Sequence, residues 1–347
     1  MNTRTVSPPS RTAPGVEPML SPTPVGPALV ELLPARWHRP LVILAAVMGG
    51  LVILNIAGLF LDPREVTNAP VWMKPLKFAL SIGIYSLTLA WLIGRLPTGS
   101  RIARVANVAG TITVFGLAIE LVIIDGFALF GDTSHFTVST PFHAAMWSVM
   151  AVSISVVWVM SLLVAALLFR APLGDPARSL GIRAGTIIAL GGMAVAFLMT
   201  GPQGDQISNY QGIIGAHTVG LADGGPGLLL VGWSTVAGDL RVPHFVGMHA
   251  LQALPLFVFL LEVLARKIPA LRDARRRLRL MLVAVVTFAA AVALLTVQAL
   301  MGQSVVAPSG IILFGGLILT ASAAIAAILI ILLPVGSTRS APAKTVG

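Results

Sequence analysis

Five of the six histidines stand in or just before apolar segments, or in the long stretch between two of them. Imidazole titrates near neutral pH, is the commonest metal ligand and also binds haem iron. The residues expected to bind a cofactor, either haem or a divalent metal, are His135, His143, His244 and His249. A metal ion is assigned to His217 and His249, although no HExxH or comparable ligand spacing occurs.

Spacing limits how two of these histidines can cooperate. His244 and His249 are five residues apart, about 140° around a helix, so they cannot face one point from a regular helix. They converge only if His244 belongs to non-helical chain after Pro243. His249 and Gln252 are three residues apart, so one helical face is predicted to carry both.

Charged residues are rare within the apolar segments and are therefore candidates for chemistry. Glu120 and Asp125 lie inside one such segment. A buried charge at the centre of a membrane helix costs about 2.5–3.5 kcal/mol on insertion scales, so it usually faces the bundle interior with a partner. We expect Lys77 to pair with Glu120. The candidate catalytic residues are Glu120, Asp125, Lys77, Asp239 and Arg241.

The elements that must position these residues are apolar helices. Of the 347 residues, 56% are hydrophobic and only 10% are charged, against roughly 25% charged residues in soluble proteins. A run of about 20 apolar residues spans a bilayer as a helix. The predicted fold is an all-α polytopic transmembrane bundle of about eight spans, forming one domain over 36–335. The predicted spans are 40–62, 75–95, 104–130, 141–169, 183–200, 243–265, 279–301 and 309–334.

Basic residues predict the orientation of the bundle. With these spans, 19 of the 23 Lys and Arg residues lie on the side that carries both termini, and four lie on the other. The positive-inside rule therefore predicts a multi-pass protein of the cell membrane with both termini in the cytoplasm. Five of the six histidines then lie in or near the outer half, and His38 lies in the cytoplasmic flank. This pattern accounts for the formal charge of +10, so no nucleic-acid partner is expected.

The connecting segments carry further expectations. Residues 1–35 are proline-rich and are predicted to be a disordered cytoplasmic tail, and 336–347 a short cytoplasmic tail. The outer loop 201–242 mixes glycine, aromatic residues and carboxylates, which is typical of an ordered lid. Within it, 226–233 is apolar but too short to cross, so it either re-enters the interface or packs on the outer face.

Two smaller features concern the surroundings of the helices. The basic run 266–279 could bind anionic lipid headgroups, although an orientation signal is the favoured interpretation.

Glycine pairs within spans are expected to let helices approach closely; they are Gly49-Gly50, Gly191-Gly192 and Gly315-Gly316. Cysteine is absent, which excludes disulfides and thiolate ligands.

Three segments resemble parts of multi-pass membrane proteins of bacteria. They run from Ser134-His135-Phe136 to Ser139-Thr140-Pro141-Phe142, over Lys74-Pro75-Leu76-Lys77-Phe78, and from Asp239-Leu240-Arg241 to His244-Phe245. The resemblance covers the second to sixth spans and implies a helical membrane domain. It implies no particular activity.

Three functions therefore stay open. The favoured one is a membrane-embedded enzyme or redox protein that uses a metal, haem or acid–base chemistry at its outer face. The alternative is a transporter or channel for a small solute or ion, with Glu120, Asp125 and the histidines as a proton relay. The third is a non-catalytic subunit of a membrane assembly.

Overall fold

A computed structural model describes residues 36–333, including only the backbone of Gly204 and Asp205. The predicted tail 1–35 and the tail 336–347 lie outside the described residues. The long helices are α1 Arg39–Leu61, α2 Met73–Gly94, α3 Arg101–Phe130, α4 Pro141–Phe169, α5 Pro176–Ala194, α10 Ala274–Leu300 and α11 Gly310–Leu332. The shorter ones are α6 Phe197–Thr200, α7 Gly204–Ser208, α8 Arg241–Met248 and α9 Ala250–Leu264, with a 3-10 turn at Pro269–Arg272.

The predicted all-α polytopic bundle is confirmed. Within residues 36–333, seven spans are long and apolar enough to cross a membrane, with α5 and α6 counted together as one. Helices α8 and α9 add an eighth if they are one span, bent by 42° where they meet. The strands of residues 36–333 form two short hairpins, β1 Glu65–Val66 with β2 Ala69–Pro70 and β3 Thr218–Val219 with β4 Gly238–Asp239. The chain is therefore a multi-pass membrane protein.

Polar residues at the helix starts explain several boundaries. Ser100 and Thr140 accept hydrogen bonds from backbone N–H groups in the first turns of α3 and α4, and Asp175 and Asp273 do the same for α5 and α10. Helices α5 and α10 consequently begin earlier than predicted, at Pro176 and Ala274 rather than at 183 and 279. The prediction assigned the arginines of these first turns to the preceding loops.

Three of the six glycines in the predicted pairs meet another helix. A Cβ at Gly315 or Gly316 of α11 would lie 3.4 or 3.8 Å from Leu294 of α10. A side chain at Gly192 would collide with the backbone of Gly247 and Met248, so α5 and α8 cross closely there. No other atoms approach within 4 Å of the Cβ position at Gly49, Gly50 or Gly191. Helix α11 packs mainly against α10 and exposes much of its apolar surface.

The alternating helices give the bundle two chemically different ends. At the arginine end, where α1, α3, α5 and α10 begin, Arg178 forms a buried bidentate pair with Glu262 at 3.1 and 2.9 Å. Arg277 pairs with Asp175 at 2.8 Å at the same end. The opposite end, which we name the histidine end, carries the long loop between α6 and α8. By this alternation, Arg39 and Leu332 both lie at the arginine end.

Candidate functional site at the histidine end

The loop between α6 and α8 is folded onto the chain that precedes α4. Val138 donates its backbone N–H to Gly212 O at 2.8 Å, and Ile214 donates to Phe136 O at 2.8 Å. The β3–β4 hairpin joins the two halves of the loop. The loop is therefore ordered, as its composition predicts.

Asp223 anchors one half of this loop. It accepts the Nδ1–H of His217 at 2.6 Å, the backbone N–H groups of His217 and Thr218 at 3.1 Å, and the Thr218 hydroxyl at 3.1 Å. Burial opposes the charge of Asp223, but these bonds hold the pKa of its carboxyl well below the usual range. Burial lowers the pKa of His217, so the pair is a neutral imidazole and a carboxylate.

His135 lies in an aromatic cage beside this pair. Its ring centroid is 5.6 Å from that of Phe78 and 5.5 Å from that of Trp147, and its Nδ1 is 3.0 Å from Ser134 Oγ. Burial lowers the pKa of His135 well below the ordinary histidine value, and the charge of Lys74 acts in the same direction. Phe136 contacts both imidazoles, its centroid being 4.8 Å from that of His217.

Two cations of this end hold the turn 226–233. Lys77 donates from Nζ to Val231 O at 3.1 Å, and Arg241 donates to Gly232 O at 2.6 Å. Arg241 also binds Asp239 through two nitrogens at 2.9 and 2.6 Å. The turn is therefore bonded to the first turns of α2 and α8, and its tip residue Leu229 is 93% exposed.

The predicted pair of Lys77 and Glu120 is wrong. The Lys77 ammonium donates to the loop carbonyl of Val231, while Glu120 Oε1 is buried without a hydrogen-bond partner among residues 36–333. Asp125 Oδ1 is likewise buried without a partner in this part of the chain, and five residues of helix place it on another face of α3 from Glu120. The two intramembrane carboxylates therefore do not act at one point.

Lys74 was not among the candidate catalytic residues predicted from the sequence. Within the described chain it makes no hydrogen bond or ion pair, yet its charge interacts with those of Lys77, Asp223, Glu120 and Arg241. Lys74 is also the charge that acts on Glu120. Its position in the first turn of α2, three residues before Lys77, could have identified it as a candidate.

The span formed by α8 and α9 is broken at His249, which ends one helix and precedes the other. His249 Nδ1 lies 3.2 Å from Gln252 Oε1, and Gln252 donates from Nε2 to Thr88 Oγ1 at 3.0 Å. The predicted shared face of His249 and Gln252 is confirmed. These two bonds form a polar connection from the helix break to α2.

His244 lies between this break and the long loop. Its Nδ1 is 2.8 Å from Gly192 O. The backbone oxygen of His217 accepts the N–H of Leu240 just before α8 at 3.0 Å, His244 lies within α8, and His249 follows its last residue. The polar groups His217, His244, His249, Gln252 and Thr88 therefore occur in this order from the loop into the bundle. We refer to these five residues as the polar line.

A small cavity lies beside the inner end of the polar line. Its volume is about 20 Å³, enough for one water molecule. It is lined by Leu89 and Leu251, the sequence neighbours of Thr88 and Gln252, and by Tyr85, Ser161 and Thr186. Tyr85 Oη and Ser161 Oγ are 2.5 Å apart. The cavity therefore combines apolar walls with three hydroxyl groups.

The expected cofactor ligands have other partners among the described residues. His143, at the start of α4, is bonded to Asp132 at 2.9 Å and to Thr140 at 2.6 Å. The rings of His135 and His249 pack against aromatic side chains. Over residues 36–333, no group of three or more His, Asp or Glu side chains is arranged to hold a metal ion. A cofactor at His135, His143, His244 and His249, and a metal at His217 and His249, stay predictions.

The candidate site consequently consists of the Lys74–Glu120 neighbourhood, the His217–Asp223 pair and the polar line. Imidazole and carboxyl groups can accept and release protons, and the Lys74 ammonium makes no hydrogen bond or ion pair among residues 36–333. No protein-family model, curated protein sequence or solved structure matches this chain.

Proposed function

We propose that the protein is a transporter of a small solute or ion whose movement is coupled to protons passing along the polar line. The observation that carries this proposal is the break of the α8–α9 span at His249, with the side chain at the break bonded across to α2. Broken helices at membrane depth occur where they line a cavity or pathway, and transporters place ion sites at such breaks.

Imidazole chemistry supports a relay. In His217, His244 and His249, Nδ1 lies next to an oxygen acceptor, which favours the tautomer with hydrogen on Nδ1. Nε2 is then the nitrogen that accepts a proton and releases it again. A water molecule in the cavity beside Tyr85 would extend the path toward Arg178 and Glu262 at the arginine end.

We propose further that the arginine end faces the cytoplasm of a cell membrane. The basic residues there include exposed side chains such as those of Lys267, Arg275 and Arg279, which suit the inner surface and its anionic lipid headgroups. At the histidine end, Arg64 and Arg241 are paired with Asp62 and Asp239. Those two cations are thus partly neutralised within the protein.

Proton flux into sealed proteoliposomes that contain a pH-sensitive dye tests the proposal. His249→Leu and Gln252→Leu should each slow the flux about tenfold or more, equivalent to 1.4 kcal/mol in the barrier. Gln211→Leu, which changes an exposed glutamine of the same loop, should leave it unaltered. Absence of flux in the unsubstituted protein, or full flux in His249→Leu, would refute the relay.

The His217–Asp223 pair favours a second candidate, a membrane enzyme that uses acid–base chemistry. A carboxylate that holds Nδ1–H orients the imidazole so that Nε2 can act as a general base. An enzyme would turn over its substrate in detergent solution, whereas a transporter needs a sealed vesicle. If every activity were lost when the vesicles were opened, the result would therefore contradict the enzyme hypothesis.

A further inference from the structure

We infer that the histidine end carries a further activity: Thr140, His143 and Asp132 form a nucleophilic triad that hydrolyses carboxylic esters with an apolar acyl chain. This activity goes beyond the proposed transport and does not depend on it. Two observations carry the inference. They are the hydrogen-bonded series of hydroxyl, imidazole and carboxylate, and the exposed apolar side chains beside that series.

The three side chains of the triad are joined by two short hydrogen bonds. Nδ1 of His143 lies 2.6 Å from the Thr140 hydroxyl oxygen, and Nε2 lies 2.9 Å from Oδ2 of Asp132. An ionised carboxylate can only accept, so a neutral imidazole carries its hydrogen on Nε2 and accepts the Thr140 O–H on Nδ1. His143 is therefore placed as the base for this hydroxyl, and Asp132 as the group that fixes its tautomer.

The ends of two spans bring the triad together. Helix α3 ends at Phe130, two residues before Asp132, and α4 begins at Pro141, directly after Thr140. Thr140 is the N-cap residue of α4, and its hydroxyl oxygen also accepts the backbone N–H of His143 at 3.3 Å. That N–H stabilises the negative charge that develops on the oxygen when it loses its proton.

The surroundings of the triad are accessible and apolar. Thr140 is exposed, and the side chain of Asp132 is 46% exposed. Phe142 is 62% exposed and Phe130 88%, and the ring centroid of Phe142 lies 6.0 Å from that of His143. Aromatic side chains at the ends of spans lie at the boundary between headgroups and acyl chains. An acyl chain on the exposed ring of Phe142 therefore lies next to the base of the triad.

The reaction consumes only the ester and water. Thr140 Oγ1 adds to the ester carbonyl carbon while Nδ1 of His143 takes the hydroxyl proton. The alcohol oxygen then leaves with its bonding electron pair and receives that proton, so the acyl group is now joined to Thr140. Water adds to the acyl-threonine in the same way and releases the acid, and the proton taken from water passes through His143 back to the threonine oxygen.

Hydrolysis of p-nitrophenyl octanoate by the purified full chain in detergent tests the triad. Thr140→Asn keeps a favourable N-cap residue for α4 but removes the hydroxyl. This variant, His143→Gln and Asp132→Asn should each slow hydrolysis about 100-fold or more. Thr140→Ser should retain the activity. Ser139→Ala, which removes the exposed hydroxyl next to Thr140 in the sequence, is the matched control and should change nothing.

An octyl fluorophosphonate gives a second readout, which a mere helix cap would not produce. An activated hydroxyl oxygen attacks phosphorus and displaces fluoride, and its proton goes to the base. Mass spectrometry should therefore locate the phosphonyl group on Thr140 in the unsubstituted protein and on the serine of Thr140→Ser. Thr140→Asn should carry no label.

Three results would overturn the inference. They are full hydrolysis by Thr140→Asn, the absence of both hydrolysis and labelling in the unsubstituted protein, and hydrolysis that survives Thr140→Asn but is lost in His217→Gln. The last result would assign the activity to the His217–Asp223 pair instead.

The source of the ester is read from a parallel assay with vesicles of phosphatidylethanolamine and phosphatidylglycerol. Release of fatty acid from these vesicles, lost in Thr140→Asn, would support the inference with a membrane lipid as the substrate. Thr140-dependent hydrolysis of p-nitrophenyl octanoate without release from the vesicles would support it with a dissolved ester.

Discussion

Nδ1 of His217 lies 2.6 Å from Oδ2 of Asp223, and this contact joins the folding of the long loop to the chemistry of the histidine end. Asp223 binds the backbone of β3 as well as the imidazole. The imidazole in turn packs against Phe136 in the segment before α4. One carboxylate therefore fixes the loop, the tautomer of His217 and the aromatic cage of His135.

Asp223→Asn should loosen this loop. Replacing a charged acceptor of several hydrogen bonds costs about 2 kcal/mol, which corresponds to roughly 30-fold more frequent opening. Limited digestion with proteinase K, with the cleavage sites located by mass spectrometry, should show faster cutting between residues 201 and 240. Asp132→Asn, a half-exposed carboxylate bonded to His143, is the control. Equal cleavage rates in the two variants would contradict the anchoring role.

Acidification should destabilise the histidine end. Burial lowers the pKa of both His135 and His217 below their ordinary value of 6.5. Between the folded and unfolded pKa values, the folded state binds fewer protons, so stability decreases as pH falls below about 6.5. The pKa of Asp223 is lowered from 3.8, so its contribution is present above that value and is lost only in stronger acid.

Thermal unfolding in detergent at pH 7.5 and pH 5 checks this dependence. The unsubstituted protein should unfold at a lower temperature at pH 5. The double variant His135→Gln, His217→Gln should be less stable overall but show a smaller difference between the two pH values. A difference as large as in the unsubstituted protein would assign the effect to other groups.

Gly192→Ala should disrupt the crossing of α5 and α8. The new methyl group collides with the backbone of Gly247 and Met248, which cannot move as a flexible side chain would. We expect a loss of about 1–3 kcal/mol in unfolding free energy, measured by denaturation in mixed micelles. Gly191→Ala is the matched control, because its Cβ position is open. Equal stability of the two variants would show that this crossing is not tight.

The buried pair at the arginine end should behave as a unit. Arg178→Met or Glu262→Met alone leaves one buried charge without its partner, which costs about 3–5 kcal/mol. The double variant removes both charges and should be closer in stability to the unsubstituted protein than either single variant. A double-mutant cycle of unfolding free energies measures the coupling. Additive losses would mean that the two side chains act independently.

Orientation can be tested with single cysteines, because the chain contains none. Leu229→Cys at the exposed tip of the turn 226–233 should react with a membrane-impermeant maleimide in intact cells. Lys267→Cys, exposed at the arginine end, should react only after the cells are permeabilised. The opposite labelling pattern would place the histidine end in the cytoplasm.

Local sequence determined the fold class of this protein. Whether a run of about 20 residues can span a bilayer depends on its own composition, so the eight apolar segments were recognisable without knowing their neighbours. The shared face of His249 and Gln252 followed from helical geometry, and the order of the long loop followed from its composition. The starts of α5 and α10 were misplaced because arginines within their first turns were counted as loop residues.

Only the tertiary structure decided which polar groups meet. Lys77 bonds to Val231, 154 residues away, rather than to Glu120. Arg178 of α5 forms its ion pair with Glu262, 84 residues away. Among the residues that the structure describes, the same packing leaves Lys74 without a hydrogen bond or ion pair, while His143 is bonded to Asp132. Such choices depend on how separate helices and loops pack, and neither spacing nor hydropathy along the chain contains that information.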